Sequence, residues 1–308
     1  MRKIMKNAAL LIRSMRIYQW VKNIFIFAPM IFALQFFHFG YVINSVLAFL
    51  LFSLVASSIY IFNDCFDKEK DRFHPEKKNR PIASGALPVK TASFTAGIIL
   101  IASLIAVYQL NRYFFYIALV YIVLNLFYSS FLKEIVILDV MIIAVGFVLR
   151  VEIGGVINNI ELSPWILIIT FLLAIFLGLI KRRQELVKLN AAAADGVRQH
   201  EPERSQETRK TLKKYNLALL DQLISITTAT TLISYIIYVV NPDIQQKFGT
   251  KVLYLTIPFV VFGVFRYLYL TYVKGKGENP AEIIFTDIPF TANGILWVLV
   301  FLLLILAK

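Results

Sequence analysis

The chain has 308 residues, of which 58% are hydrophobic and 17% charged, and its mean hydropathy is +0.70. Soluble domains carry about 25% charged residues, so this composition excludes an ordinary water-soluble domain and places the chain in the membrane class. A single cysteine, Cys65, excludes an internal disulfide and any all-cysteine metal site, and is read as a small spacer residue.

Nine apolar runs approach the ~20 residues needed to cross a bilayer. In chain order they are Trp20–Phe39, Tyr41–Phe62, Thr91–Leu110, Tyr113–Phe131, Ile135–Ile157, Pro164–Ile180, Leu217–Val240, Val252–Val273 and Phe290–Ala307. The basic N-terminus that precedes them has only short apolar parts and no small-residue cleavage site, so no cleavable signal peptide is expected. Of the 32 Lys and Arg, only Arg112, Lys247, Lys251 and Lys308 fall on the face opposite the N-terminus, and Arg150 and Arg266 fall within runs. That asymmetry predicts a cytoplasmic N-terminus. It also accounts for the formal net charge of +13 without a nucleic-acid partner, since basic cytoplasmic loops attract anionic headgroups. We expect one polytopic membrane domain over 1–308, with two long cytoplasmic loops at about 63–90 and 181–216. The polar part of the second is read as surface helix or mobile loop.

The densest charge follows the second run directly, as "NDCFDKEKDRFHPEKKNRP" from Asn63 to Pro81. At about 100° per helical residue, Asp64, Asp67 and Asp71 fall within roughly 60° of one another, with Asn63 at the edge of that face. Carboxylates on one stripe repel unless a cation lies between them. Hard oxygen ligands suit Mg²⁺, held by few carboxylates together with water and substrate phosphates. Arg72, His74, Lys77, Lys78 and Arg80 follow, with Pro75 and Pro81 fixing turns. Carboxylates for a metal beside Lys and Arg for phosphate oxygens suit a diphosphate.

Other polar groups are expected at the same membrane face. They are Lys22 and Asn23, Tyr128 and Lys133 in "YSSFLKE", Asp139, "KRRQEL" from Lys181 through Glu185 to Leu186, Asp221 and Asp287. Arg150 lies deeper, roughly 16 Å along its helix from Asp139. Arg150 and Glu152, two apart, cannot face one another, so each needs its own partner, and a structural ion pair suits Arg150 as well as a catalytic role.

"NDCFDKEKD" resembles the N-D-x-x-D-x-x-x-D signature of the UbiA superfamily of intramembrane prenyltransferases. With "QWVKN", "YSSFLK", "FVLR" and "KRRQEL" in order, the resemblance runs from Gln19 to Asp287. It implies an all-α integral membrane protein: nine transmembrane helices around a central cavity, open to lipid on one side and capped by cytoplasmic loops. The superfamily's second aspartate motif is missing, and "KRRQEL" stands in its place. That departure favours the branch that makes arabinan cell-wall precursors by moving phosphoribose from phosphoribosyl pyrophosphate (PRPP) to a polyprenyl phosphate. The resemblance then implies that Asn63, Asp64, Asp67 and Asp71 hold Mg²⁺ on the donor diphosphate. Lys77, Arg80, Tyr128, Lys133, Lys181 and Arg182 are candidates for the donor's phosphates. Lys22 and Asn23 are candidates for the lipid phosphate, and Asp139, Arg150, Glu185 and Asp221 for supporting positions. Two alternatives stay open: a prenyltransferase using a prenyl diphosphate and an aromatic or lipid acceptor, and a non-catalytic transporter, which would need paired polar groups deep in several spans.

Overall fold

In a computed structural model the described residues are 2–73, 77–194, 212, 214–277 and 280–306; His74, Pro75 and most of the polar segment after Ala194 lie outside them. Every regular element among them is helical. The described chain falls into two compact units, one ending at Leu162 and the other beginning at Ser163.

The first unit contains α1 (Arg2–Ser14), a 3-10 helix (Ile17–Phe27), α2 (Ala28–Phe32), α3 (Phe39–Phe66), α4 (Lys68–Asp71), α5 (Val89–Leu110), α6 (Arg112–Ser130) and α7 (Leu138–Ile157). The pair α3 and α5 makes its most extensive helix contact. Small residues bring the backbones close there: Ala92 and Ala96 of α5 are fully buried, and Ala56 of α3 is nearly so. The opposite face of α5 is a stripe of large apolar groups, Phe94, Ile98, Ile101 and Ile105, each more than half exposed. In water such a stripe would be a liability; facing lipid it costs nothing. Leu10, Leu11 and Met15, from α1 and the residue after it, pack on Ile61, Ile82 and Leu87 and so brace the loop that follows α4.

Eight helices among the described residues are long and apolar enough to cross a bilayer, against the nine expected. The difference lies in the first run, Trp20–Phe39. It folds as the 3-10 helix and α2, and Leu34 adopts a left-handed φ of 58° beyond them. Pro29, at the first turn of α2, cannot donate a backbone hydrogen bond to the preceding segment. The segment is short in residues but not in reach. Eleven 3-10 residues at about 2.0 Å and five α residues at about 1.5 Å extend roughly 30 Å, the thickness of the hydrocarbon core.

The second unit contains α8 (Pro164–Ala194), α9 (Leu217–Val240), α10 (Pro242–Phe248), a 3-10 turn (Leu253–Thr256), α11 (Ile257–Tyr272), α12 (Pro280–Thr286) and α13 (Ile288–Leu306). Helices α8 and α9 pair along their length, and α11 packs on α13. Arg266 of α11 forms a two-pronged bridge to Asp287, 3.0 and 2.8 Å, while Asp287 Oδ1 caps α13 by accepting from the Phe290 amide at 2.9 Å. The guanidinium's hydrogen bonds hold the Asp287 carboxyl below the usual carboxylate range.

Two outcomes follow from this packing. Gly154 on α7 lies against the Ile26 carbonyl, and a Cβ there would collide with that backbone oxygen. Gly154→Ala is expected to destabilise the protein by about 1–3 kcal/mol through overpacking, read as a lower melting temperature in detergent. For Asp287, a depressed folded pKa means stability present above the ordinary aspartate value near ~3.9 and lost as pH falls through the lowered one. Wild-type melting temperature should therefore exceed that of Arg266→Gln at neutral pH, and the gap should close as the pH is taken below about 4.

Candidate active site

Helix α3 runs uncharged for most of its length and delivers Asp64 at its last turn, 3% exposed. The helix then breaks. Asp67 has φ −86° and ψ 4°, and a fresh turn, α4, carries Asp71, also 3% exposed. The three aspartates therefore do not share one continuous helical stripe, contrary to the sequence expectation. Across the break Asp64 and Asp71 share one partner, while Asp67 pairs with a different cation. Arg80 Nη1 lies 3.0 Å from Asp64 Oδ1 and 2.6 Å from Asp71 Oδ2. Asp67, with its side chain 34% exposed, lies 3.7 Å from Lys133 Nζ in the 3-10 turn after α6. Asn63 Oδ1 accepts a 3.0 Å hydrogen bond from Ser129, and Tyr128 is half-buried beside it at the end of α6. Lys77 is half-buried in the loop; burial pushes its ammonium below the ordinary lysine range, while Asp71 and Asp67 draw it back up.

Arg16 belongs to this cluster and was not among the sequence candidates. Its Nη2 donates to Asp64 Oδ1, the same oxygen that Arg80 contacts, and its guanidinium lies 5.4 Å over the Tyr60 ring. Arg16 holds a left-handed backbone, φ 52° and ψ 52°, between α1 and the 3-10 helix. A non-glycine residue there costs about 1–2 kcal/mol, which neighbouring contacts must offset. The ion pair to a buried carboxylate is such a contact.

Asn23 and Arg150, expected in different roles, form one buried knot. Arg150 is 4% exposed and Asn23 2%. Arg150 Nε donates to Asn23 Oδ1 at 2.8 Å, Nη1 to the Gly146 carbonyl, and Nη2 to Tyr121 Oη at 3.4 Å. The guanidinium lies within 5.1–5.4 Å of the Tyr121, Phe52 and Phe147 rings. Asn23 Nδ2 donates to Ser53 at 2.8 Å, so both ends of its amide are engaged inside the fold, whereas Lys22 beside it is exposed. Asp139 is buried in the first turn of α7.

In the second unit, the expected candidates pair locally. Glu185 accepts from Arg182 at 2.6 Å, with Lys181 4.0 Å away. Asp221 Oδ1 accepts from Arg183 at 2.6 Å and from Tyr272 at 2.8 Å, and Arg183 stacks 3.9 Å over the Tyr272 ring. Tyr272 completes a cluster of which the sequence reading had singled out Asp221 and, within "KRRQEL", Arg183.

The donor set around Asp64 and Asp71 suits a divalent ion such as Mg²⁺. Both carboxylates already close on one cationic atom, Arg80 Nη1, and both present hard oxygens. Among the described residues no group of three or more acidic, His or Cys side chains could hold a metal by itself. A metal here would need phosphate or water oxygens to complete its shell, as Mg²⁺ commonly does.

The UbiA prenyltransferase family matches residues 24–286. The chain is 31% identical over 237 residues to decaprenyl-phosphate phosphoribosyltransferase of Mycolicibacterium smegmatis, covering 76% of this chain and 71% of that one. It is 30% identical over 294 residues to the Corynebacterium glutamicum protein of the same name, covering 94% and 84%. The fold matches a solved UbiA homologue from Archaeoglobus fulgidus, bound to DMAPP and Mg²⁺, with a TM-score of 0.66, 17% identity, and coverage of 97% and 99%. The chain is thus a multi-pass membrane transferase and belongs to the UbiA prenyltransferase family.

Proposed function

We propose that this enzyme transfers 5-phosphoribose from PRPP to a polyprenyl phosphate and releases pyrophosphate. The observation that carries the reading is the pair of buried carboxylates, Asp64 and Asp71, closed on one arginine at the end of a membrane-spanning helix. The relatives named as decaprenyl-phosphate phosphoribosyltransferases support the choice of donor and acceptor. The missing second aspartate motif, with "KRRQEL" at its place, supports it further.

Asp64 and Asp71, with Asp67 beside them, would hold Mg²⁺. When bound, the ion supplies positive charge that lowers the barrier to pyrophosphate departure. Arg80, Arg16, Lys77 and Lys133 offer guanidinium and ammonium donors for the donor's phosphate oxygens. The bond from ribose C1 to the pyrophosphate oxygen breaks, and a bond from C1 to an oxygen of the lipid phosphate forms. That oxygen is anionic beforehand, so the reaction needs no strong general base. The lipid substrate explains why the cluster stands at the end of a span, where a phosphate headgroup meets the bilayer surface. The distribution of Lys and Arg supports a cytoplasmic N-terminus and site, and we take the membrane to be the cell's plasma membrane. We treat 1–308 as one catalytic membrane domain.

The Archaeoglobus neighbour's bound DMAPP favours a second reading, transfer of a prenyl group from a prenyl diphosphate. Purified enzyme with Mg²⁺, PRPP and a polyprenyl phosphate separates the two. The proposal expects pyrophosphate and a lipid heavier by one phosphoribosyl unit, only with both substrates and not in EDTA. Consumption of a prenyl diphosphate with an aromatic acceptor, and no reaction of PRPP, supports the second reading instead. Asp67→Asn is the cleanest variant, because its partly exposed 3.7 Å pair with Lys133 contributes at most ~1 kcal/mol to folding. It should keep the wild-type melting temperature within a few degrees and lose most turnover; wild-type kcat in that variant would remove Asp67 from the site.

A further inference from the structure

The carboxylates at the end of α3 and in α4 are already holding cations. Asp64 Oδ1 receives both Arg16 Nη2 and Arg80 Nη1, and the same Arg80 Nη1 lies 2.6 Å from Asp71 Oδ2. Lys133 Nζ is 3.7 Å from Asp67, and Lys77 is electrostatically coupled to Asp71 and Asp67. Four basic side chains thus face three aspartates. A divalent ion arriving by itself must take the position of Arg80 Nη1 between Asp64 and Asp71. It would leave a guanidinium without its anion and raise the positive charge of a cluster that already carries an excess of cations. A diphosphate changes both terms. It brings negative charge comparable to the metal's positive charge, and its oxygens match the planar fork of a guanidinium. The burial is arranged for such an exchange. The side chains of Asp64 and Asp71 are each 4% exposed, whereas Arg16 is 20% and Arg80 27% exposed. The carboxylates are fixed within the fold, and each guanidinium keeps an open side.

We propose that Arg16 and Arg80 are exchangeable counter-cations, which close Asp64 and Asp71 to a bare divalent ion and move to phosphate oxygens when that ion arrives with a diphosphate. This rests on the reading of Asp64 and Asp71 as the metal-diphosphate site and adds an order to it. Metal and diphosphate bind with strong mutual coupling, and free metal is a poor ligand. Because the coupling is reciprocal, bound diphosphate raises metal affinity by the same factor as bound metal raises diphosphate affinity. Arg16 gains a role here that its distance in sequence from the acidic stretch conceals: it is a positioning residue for Asp64 and a hydrogen-bond donor held ready for phosphate oxygens.

The test measures binding, not turnover. Purified full-length protein in detergent is dialysed to equilibrium against Mn²⁺ supplied either free or as preformed Mn²⁺–pyrophosphate, and protein-bound Mn²⁺ is read by electron paramagnetic resonance. Wild type should hold the complex at least about tenfold more tightly than the free ion. Arg80→Gln and Arg16→Gln should each bind free Mn²⁺ more tightly than wild type, by about threefold or more, and lose most of the preference for the complex. Equal affinity of wild type for free ion and complex overturns the proposal and leaves the metal-site reading standing. So does unchanged free-ion affinity in variants whose helical circular dichroism matches wild type. If neither form of Mn²⁺ is retained, the proposal and the metal-site reading fall together. Should a variant not fold, the wild-type comparison decides alone.

Discussion

Asp64 is a carboxylate set into the end of a helix that is otherwise uncharged, and burial of that kind obliges the fold to supply positive charge. An unpaired buried carboxylate costs several kcal/mol, enough to rival the whole stability of a domain. Much of the first unit is arranged around that obligation. The loop after α4 returns to bring Arg80 to the two buried aspartates. The link between α1 and the 3-10 helix takes a left-handed turn at Arg16 and brings a second guanidinium to the same oxygen. Helix α1 in turn packs Leu10 and Leu11 on Ile82 and Leu87, so the element carrying Arg16 and the loop following Arg80 brace one another.

A second buried charge solves the same problem without an acid. Arg150 lies in mid-span and is compensated by an amide, a backbone carbonyl, a phenol and three aromatic faces. Tyr60 packs against the cluster that contains Tyr121, and Arg16 lies over the Tyr60 ring. The close approach of α7 to the 3-10 helix at Gly154 and Ile26 holds Asn23 against Arg150. The unusual 3-10 geometry and the buried arginine are thus parts of one packing solution.

What the sequence made legible follows from range. Apolar runs are local, and eight of them became helices long enough to span. The first run, Trp20–Phe39, was not legible as a 3-10 helix, because composition does not distinguish 1.5 from 2.0 Å of rise per residue. The acidic motif was legible as a motif, but not its shape: neither Pro nor Gly marks the break at Asp67. Arg80 and Asp71 were both candidates, yet nothing in the spacing says that one nitrogen serves Asp64 and Asp71 together. Arg16 is 48 residues from Asp64 and Asn23 is 127 from Arg150, separations at which helical periodicity carries no information.

The basic segment at the head of the second unit shows how charge pairs limit what a motif can mean. "KRRQEL" reads as a run of cations, but Arg182 is tied to Glu185 and Arg183 to Asp221 and Tyr272. Arg183 is the most constrained of the three, stacked on a ring and bonded to a carboxylate, which fits it to hold α8 against α9 and α11. Lys181, half exposed and 4.0 Å from Glu185, is the member held least firmly by its carboxylate partner. A lysine is a compact charge on a flexible stem, and a weak pair releases it to a phosphate at little cost. Of the three basic residues, Lys181 is therefore the one least committed to a carboxylate partner, while Arg183 ties α8 to α9 and α11.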